Sequence, residues 1–158
     1  MTYGDEDIAT MASSWPDLQV LRLCSSPAMD VGLSIGQPLR SAGTFTRSFN
    51  RLAQLNIYIN SLDVGLTSDA QSDVHYHRLS EINFGTSPSP PGSTEAATRY
   101  LADLIMIGGV IKGWRSLDHA RFLYSNWRDI KERRRRAAFW SDISKSVEMI
   151  HAGSNHLM

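Results

Sequence analysis

The stretch "RLAQLNIYIN", Arg51 to Asn60, carries the pattern from which the fold is predicted. Its apolar residues are Leu52, Leu55, Ile57 and Ile59, with polar residues between them. Alternation of this kind over a short run is typical of a strand with one buried face, because successive side chains of a strand point to opposite sides. The stretch therefore predicts a buried strand.

Two further copies of this pattern occur in the chain, "DLQVLRLCSS" upstream and "RLSEINFGTS" downstream. All three fit one template: a leucine, two residues, an aliphatic residue, one residue and an apolar residue. The template leucines Leu18, Leu52 and Leu79 are 34 and then 27 residues apart. Irregular steps of about 20 to 40 residues favour a repeat array in which connecting segments vary in length. We predict an α/β fold, a short irregular solenoid of parallel strands plus helices.

Helices are predicted between the strands and at the end of the chain. "DEDIATMASSW" has Ile8, Met11, Ala12 and Trp15 at helical spacing, and in "STEAATRYLADL" Ser93 or Thr94 can cap. After about Leu117 the apolar residues again keep helical spacing, namely Trp127, Ile130, Ala137, Trp140, Ile143, Val147 and Ile150, with Gly153 as a natural stop. We therefore divide the chain into repeats at 1–112 and a C-terminal helical cap at 113–158.

Two segments fit the repeat pattern poorly. "MDVGLSIGQPLRSAGTFTR" contains three glycines and a proline without a clean helical stripe, so a helix near Leu39 to Phe45 is not favoured. "IMIGGVIKGW" occupies the place of a fourth strand, but it has glycines and lacks the template. The sequence alone therefore predicts three strands more strongly than the fourth.

The segments "WPDLQVLRL", "FNRLAQLNIYIN" and "YHRLSEINFG" resemble the irregular leucine-rich repeats of F-box-type proteins. The ending "RFLYSNWRDIKERRRRAAFW" is similar to the C-terminal tails of large fungal families of this type. The resemblance implies a parallel sheet and a role like that of the substrate-recognition repeats of a ubiquitin-ligase adaptor. The N-terminal F-box itself has no counterpart in this chain, so docking to a ligase is not expected of it.

A stack of such strands presents an open face made of the positions that alternate with the buried template. These outward positions are Val20, Arg22, Gln54, Asn56, Tyr58, Glu81 and Asn83. They are mixed and polar, which suits a protein-binding surface better than a catalytic pocket. We therefore predict a non-enzymatic module that binds an unknown protein partner. The alternatives are a binder of acidic surfaces or nucleic acid, or a piece of a longer protein without a function of its own, since three or so repeats lie near the minimum for stability.

The composition argues against several functional classes. The 16 basic and 16 acidic residues balance, so net charge favours neither nucleic acid nor an anionic membrane. The most apolar run, Leu104 to Ile111, is far shorter than the roughly 20 residues of a membrane helix. A single cysteine and the lack of a signal-peptide pattern favour an intracellular location, cytoplasmic or nuclear. No phosphate-binding loop or pair of carboxylates stands out, so we predict no enzyme, cofactor or metal.

The sharpest charge feature is the basic run "KERRRR", with Lys131, Arg133, Arg134, Arg135 and Arg136. It is predicted to be mainly a solvated helix face paired with Asp129 and Glu132. Nuclear import, an acidic partner or phosphate contacts are the functional alternatives. Because four consecutive residues wrap more than one turn, at least one arginine must lay its stem along the apolar surface.

Three other features have a structural explanation that is preferred over a functional one. Asp73, His75 and His77 alternate and could hold zinc, but no partner cluster for a full ligand set is visible, so solvated side chains are predicted. Cys24 is predicted to pack in the core, because no histidine can be assigned to activate it. The tryptophans Trp15, Trp114, Trp127 and Trp140 are predicted to be core residues.

Overall fold

A computed structural model describes residues 3–23, 36–65, 78–85, 87–88, 90, 92–113 and 127–154, apart from the side chains of 127–130, 133 and 154. Over these ranges the chain forms four helices and six strands. In chain order they are α1 Asp5–Ser14, β1 Val20–Leu23, β2 Gln37–Pro38, α2 Arg40–Ser48, β3 Gln54–Ile57, β4 Ile59–Ser61, β5 Leu79–Asn83, α3 Thr94–Leu104, β6 Ile105–Lys112 and α4 Trp127–Ser154.

Four of the strands form one parallel sheet in the order β1-β3-β5-β6, which is also their order along the chain. The short strands β2 and β4 pair in parallel as a second, two-stranded sheet. The prediction of a mixed α/β fold with parallel strands is confirmed.

The template positions of the three repeats lie side by side in the sheet. Leu21 pairs with Leu55 and Leu55 with Ile82, and Ile111 of β6 continues the row. All four side chains are buried, at no more than 7% exposure, and they belong to one hydrophobic core. Removal of apolar surface from water stabilises a fold by about 25 cal/mol per Å². The register that buries all four side chains together is therefore favoured.

The segment Arg51 to Asn60 forms two strands instead of one continuous strand. β3 ends at Ile57 and β4 begins at Ile59, and the Tyr58 carbonyl between them accepts a hydrogen bond from the Gln37 amide at 3.0 Å. The chain thus leaves the large sheet at Tyr58 to pair with β2, while Ile57 and Ile59 both remain fully buried.

Helix α3 begins as predicted, with the Ser93 side chain accepting a hydrogen bond from the Ala96 amide at 3.2 Å. Helix α2 was not favoured by the sequence, but it forms over Arg40–Ser48. Its Phe45 is fully buried, and its first turn is held by Tyr100 of α3, whose hydroxyl accepts from the Gly43 amide at 3.0 Å and donates to the Arg40 carbonyl at 2.9 Å. Tertiary contacts therefore supply what the local sequence lacks.

The weakly predicted fourth strand is β6, and its glycines form a bulge. Between two paired levels β5 advances two residues, from Leu79 to Glu81, while β6 advances five, from Ile105 to Val110. Gly108 has a φ of +81°, a conformation that glycine adopts at little cost. The glycines of this segment made a regular strand less favoured in the sequence, and the structure shows that they form the bulge of an irregular strand.

Helix α4 packs against β6 and α3 at the end of the sheet. Trp140 stacks on Phe84 with ring centroids 4.3 Å apart, and its indole N–H donates to the Ser87 carbonyl at 3.2 Å. Ile143 and Val147 are also buried, as their helical spacing predicted. The buried residues of α4 belong to the same core as those of the strands, and the division at 112/113 stays a prediction.

Two apolar residues depart from the predicted core. Trp15 is 53% exposed because α1 ends at Ser14 and Trp15, as the C-cap with φ −135° and ψ 65°, turns away from the face of Ile8 and Ala12. Ile150 is 37% exposed, since it borders an open groove between α3 and α4.

Several predictions fall on residues outside the described set. These are the packing of Cys24, the roles of Asp73, His75 and His77, and the burial of Trp114 and of the Trp127 and Ile130 side chains.

Candidate functional site: the outward face of the sheet

The register brings the outward positions of different strands into two rows that cross the sheet. One row contains Val20, Gln54, Glu81 and Val110, and the other contains Arg22, Asn56, Asn83 and Lys112. Both rows alternate with the buried row that contains Leu55, so they point away from the core. Val20, Arg22 and Val110 are exposed, and the other members are partly exposed. We call these eight residues the outward face.

Six of the seven outward positions predicted from the sequence lie on this face: Val20, Arg22, Gln54, Asn56, Glu81 and Asn83. The seventh, Tyr58, follows the last residue of β3 and lies where the chain passes into β4. A β-carbon on Gly36 would lie 3.1 Å from the Tyr58 ring carbon Cδ1, so this ring packs closely on the Gly36 backbone. Tyr58 is therefore at the end of the outward face and partly exposed.

The charges of the outward face are distributed unevenly. Lys112 Nζ lies 2.6 Å from Glu81 Oε2, and these side chains are 40% and 20% exposed, respectively. Arg22, at the opposite end of the same row, makes no ion pair or hydrogen bond through its side chain among the described residues. Among the residues that the structure describes, the face therefore has one end where the charges are paired and one end, at Arg22, where the positive charge has no partner.

The two asparagines in the middle of the second row differ in their local roles. Asn83 Oδ1 accepts a hydrogen bond from the Gly85 amide at 2.8 Å, which makes it part of the turn after β5. Asn56 lies on the adjacent strand in direct register with Asn83. Amide groups can both donate and accept, so Asn56 suits recognition of a polypeptide backbone.

Sequence reasoning missed the contribution of β6 to this face. Val110 and Lys112 alternate with buried Ile111, which is a signal that the preceding glycines obscured. Met106 and Ile107, on the bulge, are 45% and 54% exposed and were not predicted as surface residues.

The basic run lies on α4 and is partly neutralised by its own helix. Arg136 Nε lies 3.0 Å from Glu132 Oε1, and Arg135 Nη1 lies 3.9 Å from Glu132 Oε2. The Arg136 side chain is only 22% exposed, as the prediction of one arginine along the apolar surface requires. Lys131 and Arg134 are exposed, and the Arg133 side chain is outside the described set.

Two grooves border α4. The larger, of about 570 Å³ between α3 and α4, is lined by Phe139, Ile143 and Ile150 together with Thr98 and the ion-paired Glu95 and Arg99. A smaller one of about 220 Å³ lies between β6 and α4. In the part of the chain described above, no cluster of three or more His, Cys, Asp or Glu side chains is placed to hold a metal ion.

No protein-family model, curated protein or solved structure matches this chain. None of the four helices given above is long and apolar enough to cross a membrane. The function of the chain is therefore inferred from the geometry of its surfaces.

Proposed function

We propose that the chain is a non-enzymatic protein-binding module, a short irregular leucine-rich repeat array of the F-box type whose outward face holds the partner. The supporting observation is the register, which aligns equivalent positions of successive strands into two rows. Such a surface is extended and open, with mixed polar and apolar groups, as protein-binding surfaces are. By the resemblance, this role corresponds to substrate recognition in a ubiquitin-ligase adaptor.

The repeat architecture in this proposal is supported by the order of the strands. β1, β3, β5 and β6 follow one another in the sheet as they do in the chain, and each unit contributes a buried aliphatic residue at the same level. A unit of this size cannot bury its apolar side alone, so stacking and a terminal helix such as α4 are needed.

The test compares affinity capture from a cell lysate by three forms of the protein. The face variant carries Asn56→Ala and Tyr58→Ala, and the matched control carries Met149→Ala on α4, where Met149 is 67% exposed. We expect proteins that bind the wild type and the control to be lost or reduced about tenfold with the face variant, because truncating the few side chains that dominate an interface costs more than about 1 kcal/mol each. Equal circular dichroism spectra of the three forms establish that folding is retained.

Capture that the face variant leaves unchanged would overturn the proposal. The salt dependence of binding and a second variant distinguish binding through the basic run from binding through the outward face. Binding through it should fall steeply with salt and vanish when Arg133 to Arg136 become Gln. The proposed face should instead keep its partners in that variant.

A further inference from the structure

The bulge in β6 presents apolar side chains beside the end of the outward face where the charges are paired. A β-carbon on Gly109 would lie 2.5 Å from Ile105 Cγ2 and 2.9 Å from the Met106 carbonyl oxygen. Gly109 is thus required for the chain to fold back this tightly, and Gly108 at φ +81° completes the turn. Three apolar side chains of this strand, Met106, Ile107 and Val110, are each at least 39% exposed, and we call them the apolar patch.

An exposed patch held in place by two conformationally required residues differs from a scattered surface hydrophobe. Isolated apolar side chains on a surface need no explanation, whereas a group of them on one strand is a candidate interaction site. At the other end of the rows, in β1, lies Arg22, whose side chain has no ion-pair partner among the described residues.

We propose that the outward face binds an extended polypeptide segment that crosses the strands with an acidic side chain on Arg22 and an apolar side chain on the patch of Met106, Ile107 and Val110. Between these ends, Asn56 and Gln54 contact the backbone of the segment. This inference rests on the proposed function and specifies the chemistry of the partner. Charge complementarity assigns the acidic side chain to the Arg22 end, because the Lys112 charge at the other end is already satisfied by Glu81.

The geometry also sets the spacing in the bound segment. Four adjacent strands span three gaps of about 4.8 Å, or about 14 Å from β1 to β6. Arg22 is in register with Lys112, which lies two residues, or about 7 Å, along β6 from Val110, so the diagonal from Arg22 to Val110 is about 16 Å. An extended chain rises about 3.3 Å per residue, so about five residues take the segment from the acidic to the apolar side chain. The segment therefore has an acidic residue, four or so residues of any kind and a large apolar residue, in either chain direction.

The test is selection from a displayed library of random dodecapeptides on the immobilised full chain. Selected peptides are then measured by fluorescence anisotropy against the wild type, Arg22→Gln, Arg22→Lys and the double variant Met106→Ser with Ile107→Ser. The matched controls are Arg135→Gln, at 75% side-chain exposure on α4, and Met149→Ser.

We expect the enriched peptides to share the acidic and apolar residues at this spacing. Arg22→Gln should weaken binding about fivefold, and Arg22→Lys should retain most of it. Replacing the acidic residue of the peptide by its amide should have no further effect in Arg22→Gln. The double variant should weaken binding about tenfold, and the controls should not change it.

Enriched peptides without the acidic residue or without the apolar residue would overturn this inference, as would failure to enrich any peptide. If enriched peptides that lack one of these residues nevertheless lose binding to the Asn56→Ala and Tyr58→Ala variant, the proposed function stands and only the chemistry of the segment is wrong. Peptides that bind all face variants equally would contradict both.

Discussion

Adjacent residues of β3 have opposite roles, and the difference follows from strand geometry alone. Leu55 is fully buried between Leu21 and Ile82, while Asn56 faces outward in register with Arg22 and Asn83. This alternation could be predicted from the sequence because a strand has a period of two. The exposure of Trp15 could not, because its helical spacing continues one residue beyond the point where α1 ends.

At this scale we predict that Leu55→Ala lowers the free energy of unfolding by about 2 to 5 kcal/mol, because it leaves a cavity in the core. Asn56→Ala, one residue away, should change it by only about 0.5 kcal/mol. Urea denaturation of the two variants measures both values. Equal costs would mean that Leu55 and Asn56 do not lie on opposite faces.

The helices and strands differ in whether they are stabilised by neighbouring residues in the sequence or by residues far away in it. Helix α3 has its own cap at Ser93 and could be predicted. Helix α2 has no side-chain cap at Leu39, and the hydroxyl of Tyr100, 57 residues beyond Gly43, bonds to its first turn instead. The first four amides of a helix need such partners. Likewise, β6 is held by its pairing with β5 on both sides of the bulge. A prediction from the local sequence does not include this pairing, and it therefore underestimated the strand.

The joint between α2 and α3 gives the second prediction. A β-carbon on Gly43 would collide with the Tyr100 hydroxyl oxygen, so Gly43→Ala should destabilise the protein by about 1 to 3 kcal/mol. Without this collision, alanine would favour the helix by about 1 kcal/mol.

The cost of Gly43→Ala should therefore shrink or change sign in a Tyr100→Phe background, where the hydroxyl is gone and the ring carbon Cζ lies 3.3 Å from the same β-carbon. A double-mutant cycle in urea measures this coupling. The same cost in both backgrounds would show that the hydroxyl does not fill this position.

For the whole molecule, one hydrophobic core runs from Ile8 in α1 through the strands to Val147 in α4. Hydrogen bonds between residues far apart in sequence also connect the strands, the segment after β5 and α4. The buried Ser87 hydroxyl accepts from the Ile59 amide at 2.9 Å, and the Ser87 carbonyl accepts from Trp140. The sequence indicated that a terminal helix would cover the last repeat, but these individual contacts depend on the folded geometry.

A chain with a single core should unfold as one cooperative unit. Removal of the Trp140 side chain, which stacks on Phe84, should then lower the free energy of unfolding of the whole molecule and not only the stability of α4. Trp140→Ala is expected to cost about 3 to 5 kcal/mol and to lower the midpoint of the entire transition by roughly 10 °C.

A thermal melt followed by circular dichroism tests most directly whether the parallel strands and α4 share one core. The far-ultraviolet signal reports helices and strands, and the near-ultraviolet signal reports fixed aromatic side chains such as Trp140. We predict one sharp transition with the same midpoint in both signals, shifted as a whole by Trp140→Ala. A shallow melt, or separate transitions for the two signals, would contradict a shared core and show that the strands and α4 do not form one stable unit.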